Sequence, residues 1–319
     1  MTNFSISTAA SVAAARELLR TATPPNQSST QLSNFSLEKI DRALRLGFRR
    51  PAWVWFAADE NNVVLGVVGG WGSAARTSAD ILDFLDLPSD PGVAHALLER
   101  AVADSTEEGR RRIEVIHFLP TESALDEPEL AGLIATLAAA GFRLLVRRHR
   151  YRLPVRQVPV TIPDTALSFA PITDGRDPRL LQVMREILVG SLDAHDVAAL
   201  AKGDLDTVAA ETVTEFLGYD PDDSFFLASD PSGAVVGLVV GGLRGTPDTG
   251  VASFIGVSNL HRGHGYAAQL LGWITSRAIS QNAEFIIGET DDDNFPMAAA
   301  FEKVGYPQTE SRIDFVRDL

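Results

Sequence analysis

The feature that most constrains the fold is an internal repeat. "FAADENNVVLGVVGG" (residues 56–70) aligns without a gap on the stretch that starts at Leu227, "LASDPSGAVVGLVVGG", and Gly66 then matches Gly237 at an offset of 171. "PGVAHALL" (91–98) matches "HGYAAQLL" (264–271) at 173, and "AAAGF" (138–142) resembles "EKVGY" (302–306) at 164. One such match alone would be chance, because Val and Gly are common. Three, in one order and at similar offsets, imply a duplicated domain. The length agrees, since 319 residues exceed what one core ordinarily holds. Between the copies, "RLPVRQVPVTIPDT" (152–165) carries three prolines and no helical period, and reads as a linker. The expected domains are residues 1–155 and 165–319.

Each half reads in the same order. A strand and one or two helices come first. A hairpin follows, "SFFLASD" and "AVVGLVVGG" around a turn at Asp230–Gly233, and then the strand "GVASFIGV". The next helix places Ala267, Leu270, Leu271, Ile274 and Ala278 on one apolar face. The strand "EFIIGE", the helix "FPMAAAFEKVGY" and the strand "SRIDFVRDL" are expected to close the half. Hairpins followed by strand–helix–strand predict an α/β (α+β) class, with a mixed sheet and helices packed on it.

The net charge of −14 is lopsided. Residues 1–160 hold 18 Lys/Arg and 18 Asp/Glu, so residues 161–319 hold 10 and 24 and carry all of it. So acidic a half is a poor nucleic-acid binder, because that affinity rests on neutralising phosphates. It suits a cationic partner, although acidity also serves plain solubility. There is no cysteine, which removes disulfides, thiolate zinc sites and thiol nucleophiles and is compatible with a cytoplasmic location. No apolar run reaches the ~20 residues of a membrane span. The N-terminal stretch reads as a short strand and an amphipathic helix, not as a secretion signal.

"LHRGHGYAAQLL" (260–271) sets an arginine and two glycines directly before a helix, an arrangement suited to an anion. A Walker A loop is excluded, because no Lys follows the glycines. "GHGYAA" satisfies the dinucleotide pattern G-x-G-x-x-A, but five residues separate Val257 from Gly263 and the upstream context is a hairpin. A third reading is a pyrophosphate loop of the form [QR]-x-x-G-x-[GA], met by Arg262, Gly265 and Ala267. A glycine-rich corner without a ligand is the bland alternative.

On this loop the sequence resembles the GNAT-superfamily N-acetyltransferases. "IGVSNLHRGHGYAAQLL" looks like their central strand, pyrophosphate loop and helix. "ETDDDNFPMAAAFEKVGY" looks like their next strand and helix. The two-domain plan also resembles tandem GNAT proteins such as mycothiol synthases. The resemblance implies two GNAT-like domains, each a mostly antiparallel sheet flanked by helices. It implies acetyl-CoA as donor, no metal, and a central strand that splays from its neighbour to hold the pantetheine arm. The implied donor-binding residues are Ile255, Val257, Arg262, Gly263, His264, Gly265, Ala267 and Asn294. Asn294 is also a natural N-cap, with Pro296 in the first turn. His261 and His264 flank the arginine.

In the first half the loop positions become Ser89, Asp90 and Pro91, without the arginine and with an N–H lost to proline. Residues 1–155 are therefore expected to be a degenerate GNAT-like domain without a pyrophosphate loop. The family's proton donor, a Tyr ahead of G-[FY], falls on Phe301, and the central strand offers only Ser253 in place of a carboxylate. Glu289 is the remaining candidate base or water relay, with Asp291, Asp292 and Asp293 as an exposed acidic rim and Tyr306 in the core. The expected activity is that of an acyltransferase, transfer of acetyl from acetyl-CoA to a primary amine of a small molecule or peptide. No nucleic acid or membrane partner is expected, and a homodimer is admitted. A sensor or structural protein that binds acetyl-CoA without turnover is the alternative, and an interaction module without ligand is a third class.

Overall fold

The computed structural model describes residues 3–22, 36–74, 76–106, 112–121, 123–172, 174–219, 224–243 and 248–319. The chain divides into two units: Met1–Arg147 with Glu310–Leu319, and Arg148–Thr309.

The first unit runs β1 (Phe4–Thr8), α1 (Val12–Thr21), α2 (Leu37–Leu46), β2 (Val54–Asp59), β3 (Val64–Trp71), β4 (Ile81–Asp86), α3 (Pro91–Ser105), β5 (Arg112–Leu119) and α4 (Pro128–Ala139). β6 (Arg143–Pro154) leads out of it. The second unit continues with β7 (Ser168–Ile172), α5 (Pro178–Leu188), α6 (Ala194–Leu200), α7 (Leu205–Tyr219), β8 (Phe225–Ser229) and β9 (Val235–Leu243). Then follow β10 (Thr249–Val257), α8 (Tyr266–Ser280), β11 (Phe285–Asp291) and α9 (Phe295–Val304), and β12 (Gln308–Asp318) ends the chain.

The sheet of the first unit has the order β1-β2-β3-β4-β5-β12, and that of the second β7-β8-β9-β10-β11-β6. In each, the fourth and fifth strands are parallel and the other resolved pairings antiparallel, so both sheets are mixed. The repeat is thus a structural one. Its matched glycines do one job: a Cβ on Gly66 would stand 2.7 Å from the Asp86 carbonyl oxygen, and one on Gly237 2.4 Å from that of Gly256.

Two expectations are corrected here. The terminal strand does not close the second half. β12 pairs with β5 of the first unit, from Ser311 opposite Leu119 to Asp318 opposite Arg112. The second sheet is completed by residues 148–154 of β6, which pair with β11 from Arg148 opposite Asp291 to Pro154 opposite Phe285. The units therefore differ from segments 1–155 and 165–319 by an exchange of last strands. The linker is also shorter and is not a free tether. Residues up to Pro154 are strand, and Val155, Val158 and Val160 then pack on the second unit's core. Thr161 N–H donates to the Val304 carbonyl at 3.0 Å.

In the second unit each sheet face has its own core. Leu270, Leu271, Ile274 and Ala278 of α8, with Phe301 and Val304 of α9, cover Phe226, Ala252 and Ile286. Four of the five residues expected on that helix face are buried, and Ala267 packs at the core's edge. On the other face Leu180, Val183, Met184 and Ile187 of α5 and Val208, Ala209 and Val213 of α7 meet Phe225, Leu227, Leu238 and Val240. Strand alternation divides β8 this way, with Phe225 and Leu227 on one side and Phe226 and Ala228 on the other. The first unit repeats the scheme, with Leu97, Leu98, Leu130 and Leu137 on one face and Leu19, Ile40 and Leu44 on the other.

Candidate active site

β10 and β11 part company. Their pairing starts at Thr249 opposite Phe285 and ends at Ala252 opposite Gly288, although β10 runs on to Val257 and β11 to Asp291. The β9–β10 register shifts between Ala252 and Phe254, so Ser253 is bulged at the point of divergence. Beyond it, Ser258 N–H donates to the Val236 carbonyl. Main-chain groups alternate in an antiparallel pair, so those of Gly256 also face β9, and those of Ile255 and Val257 face the split. These two residues are the ones the family resemblance implicates on this strand.

At the end of β10 a short 3-10 turn, Asn259–His261, leads into the glycine loop. Gly263 and Gly265 have φ of +86° and +73°, the left-handed region that glycine enters without penalty, and a Cβ on either would meet nothing within 4 Å. Gly265 is the N-cap of α8 and no side chain caps that helix. The first N–H groups of α8 therefore point, with the positive end of the helix dipole, into open space. Gly263, His264 and Gly265 are exposed, and His264 Nδ1 lies 3.1 Å from the Arg262 carbonyl oxygen.

Arg262 does not aim its guanidinium at that space. Nη1 donates to the Gly190 carbonyl at 2.8 Å and Nη2 to that of Ile187 at 2.7 Å, at the C-terminal end of α5. Asn294 caps α9, its side chain accepting from Met297 N–H at 3.3 Å, with Pro296 in the first turn. Phe301 is buried, stacked on Tyr151 at 4.2 Å and edge-on to Tyr306 at 5.2 Å. Tyr306 is core as expected. Its hydroxyl bonds Thr275 at 2.7 Å, and burial pushes the phenol well above its ordinary range.

Glu289 lies on the freed end of β11 with its carboxylate in an ion pair with Arg150, its cross-strand neighbour on β6. Two residues on, and so on the same face, Asp291 corrects the expected acidic rim. It is 1% exposed, because Arg148 of β6 stands 3.0 Å away and Ala194 N–H donates to it at 2.6 Å. Asp292 pairs with His149 at 3.4 Å, and of the three only Asp293 is exposed.

Around Asp291 is a cluster that the sequence did not announce. Asp193 caps α6, accepting from His195 N–H at 2.9 Å, and lies 3.1 Å from Arg148. Ser191 Oγ donates to Asp196 at 2.6 Å. Three carboxylates thus share one guanidinium and one imidazole, and they divide the proton affinity unequally. Burial opposes the charge on Asp193, but the bond to His195 and the Arg148 charge prevail and hold it below the usual carboxylate range. Burial and the Asp193 charge push Asp196 up to about 6, against the Ser191 bond. Burial, with Asp193, also raises Asp291. Nothing in the local sequence "SLDAHD" announces the meeting of Asp193 with β6 and β11.

Comparison with known proteins decides the family of this region. The profile of the acetyltransferase (GNAT) family matches residues 194–306. Acetyltransferase YE1169 of Yersinia enterocolitica is 32% identical over 90 residues, which are 28% of this chain and 61% of that protein. Residues 194–306 form a GNAT acetyltransferase domain.

Solved structures extend the fold across both units. The GCN5-related N-acetyltransferase of Sphaerobacter thermophilus superposes with a TM-score of 0.60 at 14% identity, covering 99% of this chain and 95% of that one. A tandem GNAT protein from the clavulanic acid biosynthesis pathway superposes at 0.56 and 15%, covering 100% and 98%. The whole chain thus has a tandem GNAT fold, and the match to the acetyltransferase (GNAT) family itself lies within residues 194–306.

The first unit keeps the geometry and fills it. β4 and β5 pair only at Ile81–Glu114 and Leu82–Val115 before diverging, with Asp83 bulged where Ser253 stands in the GNAT domain. There, however, Asp83 is held at 2.7 Å by the buried Arg49. The helix that answers α8 begins with Pro91, and the Asp90 carboxylate caps it, accepting from Gly92 and Val93 N–H at 2.9 and 3.3 Å. A side-chain anion occupies the helix start that the GNAT domain leaves open. Among the described residues no helix is long and apolar enough to cross a membrane, and no group of three His, Cys, Asp or Glu is placed to hold a metal ion.

Proposed function

We propose that the second unit transfers an acetyl group from acetyl-CoA to a primary amine, so that the protein is an N-acetyltransferase. The observation that carries this reading is the parting of β10 and β11 after Ala252–Gly288, with an uncapped glycine loop at the end of β10. The donor would supply an activated acyl thioester. The N–H groups of residues 263–267 would receive its pyrophosphate, with no Cβ in the way at Gly263 or Gly265. The main-chain groups of Ile255 and Val257 would hold the pantetheine arm, and Asn294 would stand near its thioester end.

The amine must reach the thioester uncharged, so a group has to take its proton. Glu289 is committed to Arg150. We assign proton removal to Asp196, whose proton affinity lies close to neutral pH, with Ser191 orienting it. A site with three carboxylates and an acidic half-chain favours a cationic acceptor. The first unit is a degenerate domain that binds no donor, because Asp90 already satisfies its helix start. A chain without cysteine suits a cytoplasmic setting.

One observation favours the second reading, an acetyl-CoA sensor. Phe301 carries no hydroxyl and is sealed between Tyr151 and Tyr306. Calorimetry with acetyl-CoA, followed by thiol release across a panel of amines, separates the readings. One donor per chain and amine-dependent thiol release support transfer. Binding without release on any amine supports the sensor, and no binding ends both.

A further inference from the structure

The glycine loop is bolted to the end of α5. Arg262 holds the Ile187 and Gly190 carbonyls, and Ser258, wholly buried, donates its Oγ to Glu186 at 2.7 Å. Gly190 has φ +67°, and a Cβ there would stand 3.3 Å from the Arg262 Nη1. Ile187 in turn lies on β10, where a Cβ on Gly256 would be 2.6 Å from its Cδ1. Three residues after Gly190 comes Asp193, joined to Arg148, and then Ala194, whose N–H donates to Asp291 of β11. The connection between α5 and α6 therefore spans from β10 to β11 at the ends where they have separated. It carries Ser191 and Asp193, and with them the setting of Asp196.

We propose that Arg262 is a positioning residue that couples the two ends of this site: an anion in the glycine loop, transmitted through its guanidinium fork, sets the 187–196 connection and the carboxylates it carries. The inference rests on the donor reading above. A planar guanidinium fixes two carbonyls at once, through charge-assisted bonds, in a way an ammonium does not. Loop and connection consequently move as one piece, and loop order reaches the cluster through the four residues from Gly190 to Asp193.

Hydrogen exchange of the full chain, with and without coenzyme A, tests this. In the wild type, coenzyme A should slow exchange in 258–268 and also in 187–197. In Arg262→Lys the charge beside the loop is kept. Coenzyme A affinity should then stay within about threefold, with protection in 258–268 and none in 187–197. Continued protection of 187–197 in Arg262→Lys overturns the proposal, as does its absence in the wild type when 258–268 responds. Loss of coenzyme A affinity in Arg262→Lys by more than about tenfold also overturns it, since the side chain would then serve the anion directly. No response in either segment of the wild type refutes the donor reading itself. The wild-type comparison stands even if the variant fails to fold.

Discussion

Replacing Asp196 with Asn should stabilise the protein at neutral pH while abolishing turnover. Asp196 is partly buried beside Asp193 and Asp291, and its carboxyl is raised from 3.8 to about 6. A group held above its unfolded value binds a proton more tightly in the native state, so stability falls as pH rises from about 4 through 6. At about 1.4 kcal/mol per pH unit between those two values, the charged form costs at most about 3 kcal/mol above pH 6, and about 1–2 after solvent screening. Asn has the same shape, can keep the 2.6 Å contact with Ser191, and carries no charge toward Asp193. Urea unfolding at pH 7.5 should show a gain of about 1–2 kcal/mol for Asp196→Asn, shrinking to none near pH 3, where the carboxyl is protonated in the native and unfolded states alike. Thiol release should fall at least about a hundredfold with donor affinity unchanged. An equal effect at both pH values, or a loss of stability at pH 7.5, would refute the reasoning about burial and repulsion. Full activity in the variant would refute the assignment of the proton acceptor.

Gly265→Glu should leave folding cooperative, because the position faces open space, at a cost of about 1–2 kcal/mol for a side chain at φ +73°. It should abolish acetyl-CoA binding by calorimetry, since a carboxylate would enter the space of the phosphates. Phe301→Tyr restores the family's hydroxyl but should destabilise by about 1–3 kcal/mol in thermal melts without raising turnover. The ring tip already lies 2.7 Å from where a Cβ of Gly288 would stand, so the oxygen has no room. A fragment of residues 148–309 should fold cooperatively by circular dichroism and one of 165–309 should not. The shorter piece lacks the buried Tyr151 and Leu153 and strips Arg148 from Asp291, a buried charge whose loss of partner alone costs about 3–5 kcal/mol. A stable 165–309 fragment would show that the exchanged strand is dispensable.

What the sequence shows and what it hides follow from the range of the forces involved. Gly263 and Gly265 were legible because left-handed backbone leaves few residues to choose from, and Asn294 because a helix start needs a local acceptor. The repeat was legible because Gly66 and Gly237 each meet a neighbouring carbonyl that no Cβ could tolerate. Strand pairing has no such local mark. β6 and β12 follow equivalent helix–glycine corners, and either would satisfy the edge offered by β5 or β11; their own residues do not say which. That ambiguity hid the carboxylate cluster around Asp291 as well. "RRHR" at 147–150 carries no local mark of its role: only when β6 is laid beside β11 do Arg148 and Arg150 meet Asp291 and Glu289. The same pairing turns an apparent acidic rim into a buried cluster, and removes from Glu289 the freedom that made it a candidate base. The repeat names the fold, and the loop carries the proposal for the donor. The setting of Asp196, the proposed proton acceptor, depends on a strand from the first half of the sequence, so no reading of residues 165–319 by themselves reaches it.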